Sequence, residues 1–458
     1  MSDLYSESAK VLEQTMNKQK NIRNAVYASE FQLGEDSTMN KKQLLRLCCN
    51  TLRNRHYLNQ LMEVKEVHEL LKKPYINQYL LYVLLYDYVF GYGLNNARKL
   101  YSDAILERAE YINKRQTRHC YLLKLETMQD AIQKAKIVVK RPSVISETPR
   151  YARVNTLKWS VDEALKCNIS LFSRQTLQED GWTISSLKPQ NNETWFRDTI
   201  ISMPKDYVYI DCHVKELLIF CPFVDLHDSW MVTKGYLILQ DKASCLPSQV
   251  LEPTPGSHVF DICAAPGMKT SHLAALIQNE GKIWAIDQAS NRLDTLRTII
   301  QRAGATNVIT YCKDFLCVNI NDVKYSKVEF ALLDPPCSGS GMVKRLDSLV
   351  HDEAINGSRL RSLSNLQAML LKHLSKLPSL KKIVYSTCSI HEEENEGVID
   401  EVLNDPVFKK CFYLVEALPE WRHRGKTSYR FGYKCLRAEP ETDLTNGFFV
   451  AVFKRRKP

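Results

Sequence analysis

From Gly235 onward the chain alternates short apolar runs with amphipathic helical stretches, the runs being Val259 to Ile262, Ile283 to Ile286, Val308 to Tyr311, Phe330 to Leu333 and Ile383 to Tyr385. Runs this short and this apolar suit strands buried on both faces, and a helix between successive strands makes them parallel. The pattern therefore predicts an α/β fold with a doubly wound, mostly parallel sheet. Gly447 to Phe453 reads as a last strand with no helix behind it, suited to antiparallel insertion at the end of that sheet.

Upstream the pattern is different. From Asp3 to Lys136 apolar residues recur at three and four, as in Leu44, Leu47 and Leu52, and glycine is rare, which predicts helices. Residues 140–150 hold Pro142 and Pro149 among polar residues and mark a linker. Residues 151–228 mix strand-like runs, at Tyr151 to Asn155, Val208 to Ile210 and Leu217 to Phe220, with a helical stretch from Val161 to Cys167. Three domains are expected: a helical one over 1–145, a small α/β module over 146–228 and the doubly wound domain over 229–458. The most apolar window, Tyr79 to Phe90, contains Asp87 and is shorter than the ~18 to 20 residues a membrane span needs, so it reads as a buried helix. Residues Met1 to Glu7 lack the basic start and apolar run of a secretory signal, and the chain is expected to stay inside the cell without membrane attachment.

The net charge of +10 is uneven: residues 1–150 carry 24 Lys and Arg against 16 Asp and Glu. Clusters such as Lys114, Arg115 and Arg118, then Lys134, Lys136, Lys140 and Arg141, are what a phosphate backbone requires, although a solvated helix face has the same composition. Fourteen cysteines occur with no CxxC pair, so neither a disulfide framework nor a metal site is expected. A cysteine in such a chain is ordinarily a small buried hydrophobe.

In an open α/β sheet, ligands lie beyond the C-terminal ends of the strands. After the first strand comes Cys263-Ala264-Ala265-Pro266-Gly267-Met268-Lys269, a loop of mostly small residues leading into a helix, which lets a ligand approach backbone amides. It is neither GxGxxG nor a P-loop, which disfavours dinucleotides and nucleoside triphosphates. Asp287 ends the second strand, where a carboxylate can accept from both ribose hydroxyls, and Arg292 can pair with it or with a ligand carboxylate. Asp314 follows the third strand, within reach of an adenine amino group. Carboxylates at successive strand ends indicate an adenosyl ligand.

The fourth strand runs into Asp334-Pro335-Pro336-Cys337 and the fifth into Ser386-Thr387-Cys388-Ser389, so two thiols meet at the same rim. Thiols there suit methylation of C5 of cytosine. That carbon is a poor nucleophile until a thiolate adds to C6, so the reaction is covalent catalysis. A thiol with an ordinary pKa of ~8.5 needs a nearby positive charge or helix N-terminus to ionise at neutral pH. Asp334 can hold N3 or the exocyclic N4 of the base. An amino-group methyltransferase would carry an aromatic ring after Asp-Pro-Pro, and Cys337 cannot stack. The residues alone do not say which thiol attacks.

These motifs, with Arg153-Val154-Asn155-Thr156-Leu157, Leu239-Gln240-Asp241-Lys242-Ala243-Ser244 and Glu392-Glu393-Glu394-Asn395-Glu396, resemble the Nop/Sun-domain (NSUN) RNA cytosine-5 methyltransferases over nearly the whole length, and within them the fifth group, which modifies large-subunit ribosomal RNA. The resemblance implies a Rossmann-like S-adenosylmethionine methyltransferase domain joined to a small RNA-recognition-like module and a helical N-terminal RNA-binding domain. It implies that Cys263, Ala264, Ala265, Pro266, Gly267, Met268, Lys269, Asp287, Arg292, Asp314 and Asp334 form the cofactor and base pocket. It orders the thiols too: Cys388 attacks and Cys337 serves product release. Met268 stands where many members have a second glycine, which implies a less open loop. A monomer acting on rRNA in pre-ribosomal particles of the nucleolus is implied, and Lys454-Arg455-Arg456-Lys457 suits a nuclear address or an RNA contact. The competing readings are an inactive RNA-binding assembly factor and the same chemistry on tRNA.

Overall fold

The computed structural model describes residues 3–17, 22–29, 37–91, 93–122, 148–172, 183–186, 195–204, 207–222, 224–343 and 357–457. Two compact units divide the chain. The described residues of the first, 3–122, are helical. Their core is built on the helix Gln78–Phe90, the apolar window noted above, in which Leu80 to Tyr86 are all buried. Asn77 caps it by accepting from the Leu80 amide at 2.8 Å, and Asp87 accepts from the buried Tyr5 hydroxyl at 2.5 Å. The one charge in the window is thus used inside the unit. No helix among the described residues is long and apolar enough to cross a membrane. Lys114 and Arg118 lie one turn apart and exposed on the helix Ala109–Leu122, whereas Lys134, Lys136, Lys140 and Arg141 lie outside the described residues.

The second unit contains two sheets. The smaller has the strands β1 (Arg150–Val154), β2 (Thr183–Ser186), β3 (Tyr207–Ile210), β4 (Leu217–Phe220) and β5 (Leu237–Leu239), in the order β2-β3-β4-β1-β5. β5 pairs with β1, Ala152 opposite Leu239, so the small sheet runs past the boundary read at 228. β2 escapes a sequence reading because Thr183 to Ser186 carries one apolar residue.

The larger sheet holds β6 (His258–Ile262), β7 (Lys282–Asp287), β8 (Val308–Cys312), β9 (Val328–Leu333), β10 (Lys382–Thr387), β11 (Phe412–Val415), β12 (Leu436–Ala438) and β13 (Phe448–Arg455). Its order is β11-β13-β10-β9-β6-β7-β8, with β12 also paired to β13. β6 to β10 are parallel, as the alternation predicted, and β13 is antiparallel to β10. β13 is not the end of the sheet, however, because β11 adds beyond it. The short β11 alternates buried and exposed residues and lacks the continuous apolar run that marks the others.

The two sheets share a core: Tyr151, Leu217 and Ile219 of the small sheet pack in one cluster with Val250, Leu273, Val384 and Val450. Polar links cross it. The fully buried Arg153 donates to Gln240 Oε1 and to Ser271 Oγ, both at 2.9 Å. Lys242 and Asp211 form an ion pair of 2.6 Å, with the Lys242 ammonium 4.4 Å from the Phe196 ring centroid. Such a pair fixes orientation more than it adds stability, and it binds the small sheet to the helix Lys242–Leu251.

Candidate active site

Chain order sets the location of the site. From β6 the chain proceeds outward through β7 and β8, then crosses back to β9 and β10 on the other side, so the sheet reverses between β6 and β9. A crevice opens at such a reversal. Here a cleft is lined by Cys263, Ile286, Asp287, Gln288, Lys313, Asp314, Phe315, Pro336, Leu366 and Leu370.

Of the residues read as cofactor contacts, Cys263, Asp287 and Asp314 line this cleft. Asp287 is buried; its Oδ2 accepts from the Ala265 amide at 3.1 Å and its Oδ1 from the Ala289 amide at 3.0 Å. Each oxygen keeps a further lone pair for a hydroxyl. Asp314 accepts from the Leu316 amide at 3.0 Å. With carboxylates on one side and Ile286, Phe315, Pro336 and Leu370 on the other, the lining fits a nucleoside, whose sugar is polar and whose base is flat and apolar-faced.

The other loop residues have different tasks. Ala264 and Ala265 are buried against Leu293, Leu296 and Ile300, and Pro266 is exposed. Gly267 has φ +107°, and a Cβ there would come within 2.9 Å of Leu296 Cγ, so this position requires glycine. Met268 opens the helix Met268–Leu276 with no left-handed backbone, so the departure noted above strains nothing. Arg292 donates to the Ala265 carbonyl and stands 3.8 Å from Asp287, as one of its two readings had it.

Lys269 lies away from that lining. Its ammonium donates to Asp334 Oδ2 at 2.7 Å and sits 5.4 Å from the Phe448 ring centroid. Register explains the pairing: Leu333 stands between Ile262 and Tyr385, so Asp334, next in line, meets Ser386, whose hydroxyl donates to Oδ1 at 2.7 Å. Burial works against the Lys269 charge, but Asp334, with Cys388 and Asp261 adding to it, raises its pKa above the usual lysine value.

β9 and β10 are adjacent parallel strands, and just beyond them Cys337 Sγ and Cys388 Sγ lie 3.1 Å apart. Cys337 holds Cys388 below the ordinary thiol range by donating to it, and Lys269 adds to the lowering against the opposing effects of burial and Asp334. Cys337 itself is pushed well up by that same bond and by burial. A thiolate on one sulfur of this pair can be held by the thiol of the other and by the Lys269 charge. The positive charge expected from the sequence is Lys269.

What sequence reasoning missed is the frame around the thiols. Ser338, Ser340 and Ser389 join by their hydroxyls, with separations of 3.1 to 3.2 Å. The Gly341 amide donates to the Cys388 carbonyl at 2.9 Å, and Gly447 donates to the Gly341 carbonyl at 2.8 Å. Buried Glu394 accepts from the Ser338 amide at 2.9 Å and from Gln367 at 3.1 Å. The runs of serine and glutamate gave a signal, but not its geometry.

A second cluster of possible ligands, Asp211, Cys212 and His213, also lies among the described residues. Asp211 is already held by the Lys242 ammonium, and burial together with that charge lowers His213 to about 4, so these groups serve the core contact described above.

Comparison with known proteins agrees with this architecture. Residues 148–240 match the ferredoxin-like domain of NOL1/NOP2/Sun domain family member 5, and residues 248–454 match the 16S rRNA methyltransferase RsmB/F family. The chain is 44% identical to the 26S rRNA (cytosine-C(5))-methyltransferase nsun-5 of Caenorhabditis elegans, covering 99% of this chain and 98% of that one. It is 38% identical to the 28S rRNA (cytosine-C(5))-methyltransferase of Mus musculus, covering 99% and 91%. Among solved structures, that of PH0851 has the same fold, with a TM-score of 0.65 at 22% identity over 98% of both chains.

Proposed function

The chain belongs to the NOL1/NOP2/Sun family of RNA cytosine-C5 methyltransferases, and on that premise we propose that it methylates C5 of a cytosine in large-subunit ribosomal RNA, with Cys388 as nucleophile. The observation that carries a two-thiol mechanism is the pair of sulfurs 3.1 Å apart at one rim beside the Lys269–Asp334 pair, and the order of the two thiols follows the family resemblance. S-adenosylmethionine is the cofactor, and when bound it supplies a methyl carbon activated by a sulfonium. Cys263, Asp287 and Asp314 would hold its adenosyl part.

The residues then act in turn. The Cys388 thiolate forms a bond to C6 and makes C5 nucleophilic. Asp334, fixed by Lys269 and Ser386, keeps acceptor capacity on both oxygens for the N4 amino group of the ring, and for N3 only with a proton between the two. After C5 has gained the methyl group, its proton leaves to a base, the S–C6 bond breaks and the thiolate returns. Cys337 assists that release.

Exposed Lys114 and Arg118 support a role for the N-terminal unit in holding RNA. The substrate points to work as a monomer on pre-ribosomal particles in the nucleolus. Mapping cytosine methylation in large-subunit rRNA from cells with and without the protein tests the substrate: a cytosine that loses its methyl group in the knockout is expected, and an unchanged map overturns the reading.

The Asp287 assignment has its own test. Asp287→Ala removes a charged acceptor of two ribose hydroxyls, and its affinity for S-adenosylmethionine is expected to fall roughly ten- to hundredfold in calorimetric titration. Unchanged affinity would remove Asp287 from the cofactor site.

A further inference from the structure

The last 53 residues carry twelve Lys and Arg against five Asp and Glu, a second basic region beside the N-terminal one. Its cations gather at one edge of the sheet. β11 is the edge strand, and in it Tyr413 is 38% exposed, opposite the exposed Lys454. The Arg456 guanidinium lies 5.4 Å from the Tyr413 ring centroid and donates to the Lys409 carbonyl at 3.0 Å. Lys409 and Lys410, exposed, close the helix Pro406–Cys411 that leads into β11. On the outer side the Lys434 ammonium reaches the Leu414 carbonyl at 3.2 Å and lies 5.7 Å from the ring of Tyr433, which is 59% exposed. Among the described residues none of Lys409, Lys410, Lys434, Lys454 and Arg456 is within ion-pair distance of a carboxylate; nearby Glu416 is paired with Arg424.

Lysines alone would be an ordinary guard for an edge strand. Two exposed tyrosines, each with a cation beside its ring, are not needed for that purpose and leave apolar surface in water. Unpaired cations interleaved with aromatic faces form the combination that holds single-stranded nucleic acid: the cations take phosphates and the rings take bases. The track starts at the end of the sheet away from the thiols, since Lys454 stands opposite Lys382 at the start of β10 and Phe449 stands opposite Thr387, the neighbour of Cys388. From there the chain between β11 and β12 runs to the residues that follow Cys388, where Lys426 pairs with Glu392, and Arg437 of β12 donates to the Ile390 carbonyl at 3.1 Å.

We infer that the β11 edge, with Tyr413, Tyr433, Lys410, Lys434, Lys454 and Arg456, is a docking track for an unpaired segment of the RNA that presents the target cytosine. This rests on the reading of the protein as an RNA methyltransferase. The basic end of the chain is then an RNA contact and not a nuclear address: Lys454 and Arg455 are strand residues, and Arg455 is used inside the fold on the Leu377 and Leu380 carbonyls.

Two full-length variants test it, a charge reversal (Lys409→Glu, Lys410→Glu, Lys454→Glu) and Tyr433→Ala. Binding of a fluorescein-labelled single-stranded oligoribonucleotide is followed by anisotropy against salt, with the matching duplex as a second arm. The charge reversal is expected to weaken single-strand binding about tenfold or more at low salt and to flatten the salt slope by about two, at ~0.7 per phosphate lost. Tyr433→Ala is expected to weaken it about five- to hundredfold with the slope kept, and the duplex less. Unchanged S-adenosylmethionine affinity certifies that both variants are folded. If the wild type transfers methyl groups to rRNA while folded variants bind RNA with its affinity and slope, the track is overturned, and the surface faces a protein instead. If the wild type transfers none, the functional reading fails, whatever the variants do.

Discussion

Cys388→Ala is expected to transfer no methyl group to RNA and to form no covalent complex, while Cys337→Ala is expected to accumulate as a slowly migrating enzyme–RNA species on a denaturing gel. The expectation follows from how the two thiols differ. Cys388 is the one lowered toward the anion and the one the family resemblance assigns to attack, so it is expected to add to C6. Cys337, raised by the same bond, is assigned to release; without it Lys269 still favours the Cys388 anion, so addition is expected to continue and the adduct to stand unresolved. The double variant should lose the species. The assay uses substrate RNA and cofactor with all three proteins. A Cys388→Ala protein that still crosslinks would reverse the assignment, even though both sulfurs occupy one rim.

The second large effect is expected from Lys269→Met, which keeps the length of the side chain and removes its charge. Lys269 favours the Cys388 anion, so without it the thiol pKa rises. The attacking form is the deprotonated one, and activity grows as pH passes upward through that pKa. The rising limb of the kcat/KM profile should therefore move to higher pH. A neighbouring opposite charge shifts a pKa by about 1 to 3 units, so at neutral pH the rate should fall about 10- to 1000-fold and recover in part in alkaline buffer. Lys269→Arg should restore much of the loss. Should the limb stay in place while S-adenosylmethionine affinity collapses, Lys269 belongs with the cofactor, as the family resemblance alone implied.

The parallel core of the large sheet was legible because strands covered on both faces carry consecutive apolar residues, as in Val259-Phe260, Ile283 to Ile286, Phe330 to Leu333 and Ile383 to Tyr385. β11 and β2 were not, since a short strand at an edge can be polar on its open side. The rim could be read residue by residue, because chemistry collects where parallel strands end. Partners could not. Nothing in the spacing says that Lys269 faces Asp334 and not the adenosyl cleft, for that depends on the register of β9 between β6 and β10. Nor could it be read that the Ala264 and Ala265 methyl groups pack against the helix Ser290–Ala303, which leaves only their backbone to meet a ligand.

The serine triangle and the glycine contacts that tie the two thiol loops together bear on the timing of release. Neither sulfur has to search for the other, since the loops come from neighbouring strands and are bonded to each other. A group fixed in this way acts at an effective molarity that reaches about 10⁵ M in well-oriented systems. Free thiols in a cell, present at millimolar levels, are no substitute for it. If Cys337 serves release, as proposed, turnover depends on a resident second cysteine, and a reducing buffer is not expected to rescue its loss.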